Sequence, residues 1–452
     1  MLRAGAKILG LLVALLRRIN PPMTTESQSE SPKKGSLLVI FLTVFIDLLG
    51  FGMVLPLLPI YADQYTMDEA GWQLGLLMAS FSAMQLIFAP MWGRLSDRIG
   101  RRPVLMIGLA GSVVFYSLFG VATIIGNQPD MQATGLLLLF VARIGAGIAG
   151  ATISTAQAYI ADSTSLENRP KGMALVGMAF GLGFTFGPLL GFLAVPTADS
   201  PPGPAPGFVA AGLSAVALLL AVFKLPESRR KGGELAARKV FDFGEFRRAI
   251  SVPSVALVLV AMFVCVFSFA NFETTLSLLI KGGTKTMNTP FKLSWGQVCL
   301  TYAYIGLTLA LVQGGIVRRM AGRVNEGTLA ASGALLEILG FVLIAFAVEL
   351  QSIGLLMGAL AVVVAGFSFM QPSLNSLLSR RSDPERQGMV LGVGQSVNSL
   401  SRIVGSAVGI PLLGVHLALP YYAAAGLMGL GLILVIIASR SGSDYAQEST
   451  RL

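Results

Sequence analysis

Long apolar runs broken by short polar connectors fill the chain from about residue 37 to residue 438. A helix that crosses a bilayer needs roughly 20 mostly apolar residues. Twelve stretches reach that length: about 37–61, 72–92, 103–125, 134–158, 171–195, 206–223, 252–280, 295–317, 328–348, 353–377, 388–412 and 418–438. The sixth has the weakest pattern; it is short and follows "TADSPPGPAPG", which reads as an exposed loop. The opening "MLRAGAKILGLLVALLRRINPPM" has an apolar core, Ile8 to Leu16, too short to span. It lacks the small-residue cleavage site of a signal peptide and is expected to be a disordered or surface-lying tail, unless translation begins at Met23.

The polar connectors orient these spans. Those after spans two, four, six, eight and ten hold twenty Lys and Arg residues, whereas the odd-numbered ones hold only Lys281, Lys285 and Lys292. The positive-inside bias places the even connectors and both termini in the cytoplasm, in an inner or plasma membrane. The longest connector divides the chain. The expected order is a tail (1–36), a six-helix half (37–223), a linker (224–251), a second six-helix half (252–438) and a short tail (439–452). "NRPKGMALVG" opens span five as "ERQGMVLGVG" opens span eleven, and "GRLSDRIGR" follows span two as "GIVRRMAGR" follows span eight. The repeat predicts an all-α integral membrane fold of two pseudo-symmetric halves, with a binding site between them near mid-membrane.

Composition agrees and narrows the function. Hydrophobic residues make up 54% of the chain and charged ones 12%, against about 25% charged in an ordinary soluble domain. The net charge of +10 sits in connectors, so it reads as topology and excludes a nucleic-acid-binding face. Cys265 and Cys299 both lie in apolar runs, His416 is the one histidine, and no Gly-Lys dipeptide exists to make a phosphate loop. No metal ion, cofactor or enzyme activity is expected. The partners implied are lipid, a small solute and protons, acting on a monomer.

Some motifs carry more. "GRLSDRIGRR", with Gly93, Asp97, Arg98, Gly100, Arg101 and Arg102, is a charged turn in which Asp97 can favour a helix N-terminus or pair with Arg101 or Arg98. "GLGFTFGPLLG" spaces Gly183, Gly187 and Gly191 by four, a small-residue stripe for close helix packing, with Pro188 free to bend the helix. The first motif resembles the signature between spans two and three of the major facilitator superfamily. "ARIGAGIAGA" in span four is similar to another of its motifs, and the span-five run resembles its antiporter motif, with Phe192 where a second glycine is common. "FIDLLGFGMVLPLLPIYA" in span one resembles the drug:proton antiporter branch, especially its tetracycline-resistance-like members. The resemblance covers about 37–438. It implies the major facilitator fold, a cytoplasmic latch at the Gly93 motif and antiport. A plain topology anchor and undirected helix packing stay open as the alternatives. Arg319 stands where a second latch would need the counterpart of Asp97.

Five ionisable residues lie well inside spans: Asp47, Arg143, Glu273, Glu337 and Arg402. Each costs several kcal/mol against lipid, so each is expected to face protein or water. Spans one and four line the cavity in the superfamily, so Asp47 and Arg143 are candidates for an ion pair and a proton site. Glu337 is the residue that can match the span-nine acid of tetracycline-resistance-like transporters, or can pair with Arg402. The span-three acid and span-eight histidine of those transporters are missing here. Glu273 lies among Phe267, Phe269 and Phe272, and Gln371 and Asn375 share one face of span ten. The reading is a secondary transporter that exports a small amphipathic solute or drug against protons by alternating access. Asp47 is the first choice of proton carrier, and Glu337 and Glu273 are alternates. The rivals are a carrier of an organic anion, sugar or lipid with other coupling or direction, and a non-transporting receptor.

Overall fold

The computed structural model describes residues 34–66, 71–164, 169–195, 203–228, 251–281, 288–320, 323–382 and 387–441. Most of the proposed linker, the opening segment and most of the final tail lie outside the described residues. Twelve helical spans follow one another: α1 (Leu37–Asp63), α2 (Trp72–Ile99), α3 (Arg101–Gly126), α4 (Gln132–Ile160), α5 (Leu175–Ala194), α6 (Ala205–Lys224), α7 (Pro253–Lys281), α8 (Trp295–Met320), α9 (Glu326–Glu349), α10 (Ile353–Arg380), α11 (Val390–Val415) and α12 (Leu419–Arg440). No strand forms among the described residues.

Local chemistry sets where these spans start and break. Ser294 opens α8 with a capping box: its side chain accepts from Gln297 N–H while Gln297 accepts from Ser294 N–H. Asn325 and Ser352 cap α9 and α10. Pro56 and Pro59 remove two backbone donors near the end of α1, and the helix breaks between Val54 and Leu58 before a short last turn. The sequence predicted that α2 ends near residue 92 and that Gly93 opens a loop. The structure corrects this: α2 continues through Gly93 to Ile99, because nothing in "GRLSDRI" breaks a helix. The chain turns at Gly100, whose φ of 107° suits glycine. In α8 a π-helical turn spans Val312–Val317, around Gly314 and Gly315.

The packing shows the two-half architecture. In the first half α1 packs on α5 and α6, α3 on α4 and α6, and α2 on α4. In the second, α7 packs on α11 and α12, α9 on α10 and α12, and α8 on α10. Adding six to each helix number turns one set into the other. Two main contacts join the halves, α2 with α11 and α5 with α8, which the same twofold relation exchanges, and the last turn of α1 adds a smaller one with α7.

The join runs from the end where α1 finishes and α8 begins to about mid-helix, where a Cβ on Gly306 of α8 would come within 2.5 Å of Phe184 O of α5. At the end itself Tyr61 meets Trp295 edge-on at 5.1 Å and stacks on Phe119 at 5.6 Å. Lys281 Nζ sits 4.7 Å from the centre of the Trp295 ring, the distance of a cation–π contact. A Cβ on Gly191 would come within 3.3 Å of Cys299 Sγ, and one on Gly75 within 3.0 Å of Ala407 O. At the end that carries the basic connectors, Gly93, Gly177, Gly181, Gly314, Gly315 and Gly392 meet nothing within 4 Å. The halves touch from one end to about mid-helix and splay at the other.

The span-five glycines divide accordingly. Gly183 and Gly187 hold α5 against α1: a Cβ would approach Leu48 Cβ to 2.8 Å and Leu49 O to 2.7 Å. Overpacking of this kind costs ~1–3 kcal/mol. Gly187→Ala is therefore expected to lower the melting temperature of the purified protein, and Gly181→Ala to leave it unchanged. Equal effects would contradict this packing.

Candidate functional site

A cavity of about 110 Å³ lies between the halves, walled by α1, α5, α7, α8, α10 and α11. Its surface is mostly apolar: Phe184, Phe269, Phe272 and Phe367 line it among aliphatic side chains, and Phe269 and Phe367 stack with centroids 4.0 Å apart. Pro188 of the span-five motif is also on the wall. Two charges interrupt this surface. Glu273 of α7 and Arg402 of α11 form an ion pair through Oε2 and Nη1, and their side chains are 24% and 37% exposed. The sequence pointed to each of these residues and offered Glu337 as one alternative partner for Arg402. The structure corrects the partner, since α11 packs on α7 rather than on α9.

Glu337 is sealed instead between α9 and α10. It is fully buried, its Cγ lies where a Cβ of Gly366 would be, and neither carboxyl oxygen has a partner among the described residues. It does not line the cavity. Asp47 and Arg143 do not form an ion pair. Asp47 is half-buried in the first half, where its Oδ1 accepts from Ser214 Oγ of α6 at 2.6 Å with Ser112 of α3 nearby. Arg143 points to α2, with its guanidinium 4.3 Å from the centre of the Phe81 ring. Its Nε is buried without a partner. Tyr116 stands near both residues. The two serines were missed in the sequence because single hydroxyls in apolar helices carry no pattern.

Gln371 and Asn375 are half-buried on α10. With Val364 and Phe367 they form one stripe at three- and four-residue steps, so they continue the cavity-lining face toward the basic end. Of the aromatic residues around Glu273, Phe269 and Phe272 reach the cavity, while Phe267 packs on Phe263. Asn271 bonds Pro420 O and ties α7 to α12.

The Gly93 motif forms a network inside the first half. Arg101 Nη1 is 2.6 Å from Asp97 Oδ1, and its Nε is 3.0 Å from Asp162 Oδ2 at the end of α4. Arg102 bonds Val222 O at the end of α6. Glu227, which the sequence did not single out, accepts from the backbone N–H of Arg101 and Arg102 at the start of α3. Asp97 and Arg98 are exposed. The contacts described here, those of Arg101, Arg102 and Glu227, all stay within the first half. That half carries a reversed counterpart: Glu326 at the start of α9 pairs with Arg380 at the end of α10, at 2.7 Å.

Both cysteines are free and buried, and no cluster able to hold a metal ion occurs among the described residues.

Comparison with known proteins agrees with the architecture. The sequence profile of the Major Facilitator Superfamily matches residues 40–406. The class C tetracycline resistance protein of Escherichia coli is 31% identical over 376 residues, covering 83% of this chain and 88% of that protein. The crystal structure of the human organic anion transporter MFSD10 superposes with a TM-score of 0.66 at 27% identity, covering 90% of this chain and all of that one. A D-xylose-proton symporter shares the fold, with a TM-score of 0.71 at 18% identity over 90% of this chain and 98% of that one. With twelve spans in two matching halves and a cavity between them, the chain belongs to the major facilitator superfamily of membrane transporters.

Proposed function

We propose that this transporter exports a small amphipathic solute in exchange for protons, and that Glu273 is the acid that carries the proton. The observation behind this reading is the Glu273–Arg402 pair on an otherwise mostly apolar cavity wall. Proton and solute both act on this pair, and passage of the loaded carrier with Glu273 ionised and of the empty carrier with Glu273 protonated makes the two flows an exchange. Asp47, the first choice on sequence, is held by Ser214 away from the cavity wall. Likeness to the tetracycline resistance proteins and the span-five motif support export. The positive-inside bias supports cytoplasmic termini, which makes the splayed end cytoplasmic and this state inward-facing. The Arg101 network and the exposed Asp97 then fit a latch in its released position.

The test is purified protein in liposomes loaded with a pH-sensitive dye and screened for solute-dependent proton movement. Glu273→Gln is expected to abolish proton-linked movement, with Asp47→Asn retaining more of it. Wild-type coupling in Glu273→Gln would remove the assignment.

A further inference from the structure

We propose that the cargo is an organic anion with an apolar, ring-bearing body. Its acidic group displaces Glu273 from Arg402, and the displaced carboxylate passes to Arg143 in the opposite half. The proposal rests on reading this cavity as the carrier site.

Three observations carry it. First, two guanidiniums but one carboxylate serve the cavity region. Arg402 is paired with Glu273, while Arg143 is buried with no ion pair or hydrogen bond among the described residues. A guanidinium without a counter-ion at mid-membrane is costly, so one further anion is favoured there. The other intramembrane acids do not supply it: Glu337 is sealed within the second half, and Asp47 is bound by Ser214. Second, Arg143 connects to the cavity through aromatic rings. It lies over Phe81, Phe81 stacks on Phe51 at 5.3 Å, and Phe51 meets Phe184 of the cavity wall at 6.0 Å. Glu273 also lies within electrostatic reach of Arg143. Third, Arg402 is the more exposed member of its pair, so a carboxylate or sulfonate entering the cavity can take the same paired geometry. The rings of Phe184, Phe269, Phe272 and Phe367 suit the apolar body.

The exchange has a mechanical consequence. Glu273–Arg402 lies within the second half, whereas Glu273–Arg143 would bridge the halves. The bridge forms only when an anion occupies Arg402, so loading favours closure of the splayed end. A proton on Glu273 removes the charge that the bridge needs, which keeps proton and anion on opposite legs of the cycle.

The test uses three solutes of one shape, 2-naphthoate, 2-naphthamide and 2-naphthylmethylamine, with thermal-shift titration of the purified protein and counterflow in liposomes. Naphthoate alone should raise the melting temperature. Arg402→Gln should weaken its binding about tenfold or more, equivalent to ~1.4 kcal/mol. Arg402→Lys, which keeps the charge, should recover part of that loss. Glu273→Gln should bind naphthoate at least as tightly as wild type, because the internal competitor for Arg402 is gone, yet fail to transport it. Arg143→Gln should lose more transport than binding. Preference for the amine, no shift with naphthoate, or weakening by Glu273→Gln as large as that by Arg402→Gln would each overturn the anion. Proton-linked carriage of the amine would do so while leaving the carrier reading intact. Absence of proton movement with every solute of a wide panel would remove both.

Discussion

Trp295→Ala is expected to make Cys299 reactive toward thiol reagents while Cys265 stays protected. Trp295 is 1% exposed and closes the joined end between Tyr61 and Lys281. Truncating a buried tryptophan typically costs ~3–5 kcal/mol. Tyr61 lies in the first half, so part of this cost falls only on the state in which this end is shut. A bias of about 3 kcal/mol changes the ratio of two states by over a hundredfold. Cys299 is buried one turn along α8 from Trp295, where a Cβ on Gly191 would nearly touch it. Cys265 is buried in the second-half core, against Gly431 of α12, and reports on unfolding instead. Alkylation of the single-cysteine versions, followed by mass, reads both. Continued protection of Cys299 in the variant would show that the ring does not hold this end shut.

The second large effect concerns the cavity pair. Arg402→Gln leaves Glu273 as an uncompensated carboxylate, and Glu273→Gln leaves Arg402 in the same position. Breaking a fully buried pair costs ~3–5 kcal/mol. Both side chains here keep some contact with solvent, so ~1–2 kcal/mol for each single change is the better estimate. Replacing both by Gln removes both charges and should recover most of that stability without restoring transport. Chemical or thermal unfolding of the four proteins forms a double-mutant cycle. Additive losses would mean that the two residues do not interact in the folded protein.

Much of the fold is legible along the chain because bilayer thickness fixes helix length. Spans such as 206–223 and 353–377 reappear as Ala205–Lys224 and Ile353–Arg380. The end of α2 was misjudged for a physical reason. Apolarity marks the part of a helix that meets lipid, and a helix can continue into water on charged residues until something like Gly100 turns it. The π turn in α8 has a similar explanation, since "VQGGIV" reads as ordinary apolar helix and its hydrogen-bond register is set by packing. Among site residues, intramembrane charges stand out in sequence because each is costly there. Glu273, Arg402, Arg143, Glu337 and Asp47 are legible as candidates for that reason. Their partners are not, since pairing depends on which helices are neighbours.

The sequence by itself determined the twelve spans, the two-half repeat, the membrane setting and the few charged side chains that lie inside the spans. Those follow from local quantities: run length, periodicity and the cost of charge in lipid. The tertiary structure decided that Arg402 meets Glu273, that Glu337 is sealed away, that Asp47 rests on Ser214 and where along their length the halves join. Those depend on helix rotation and on contacts between residues more than a hundred positions apart, as with Glu273 and Arg402. No periodicity within one helix records them.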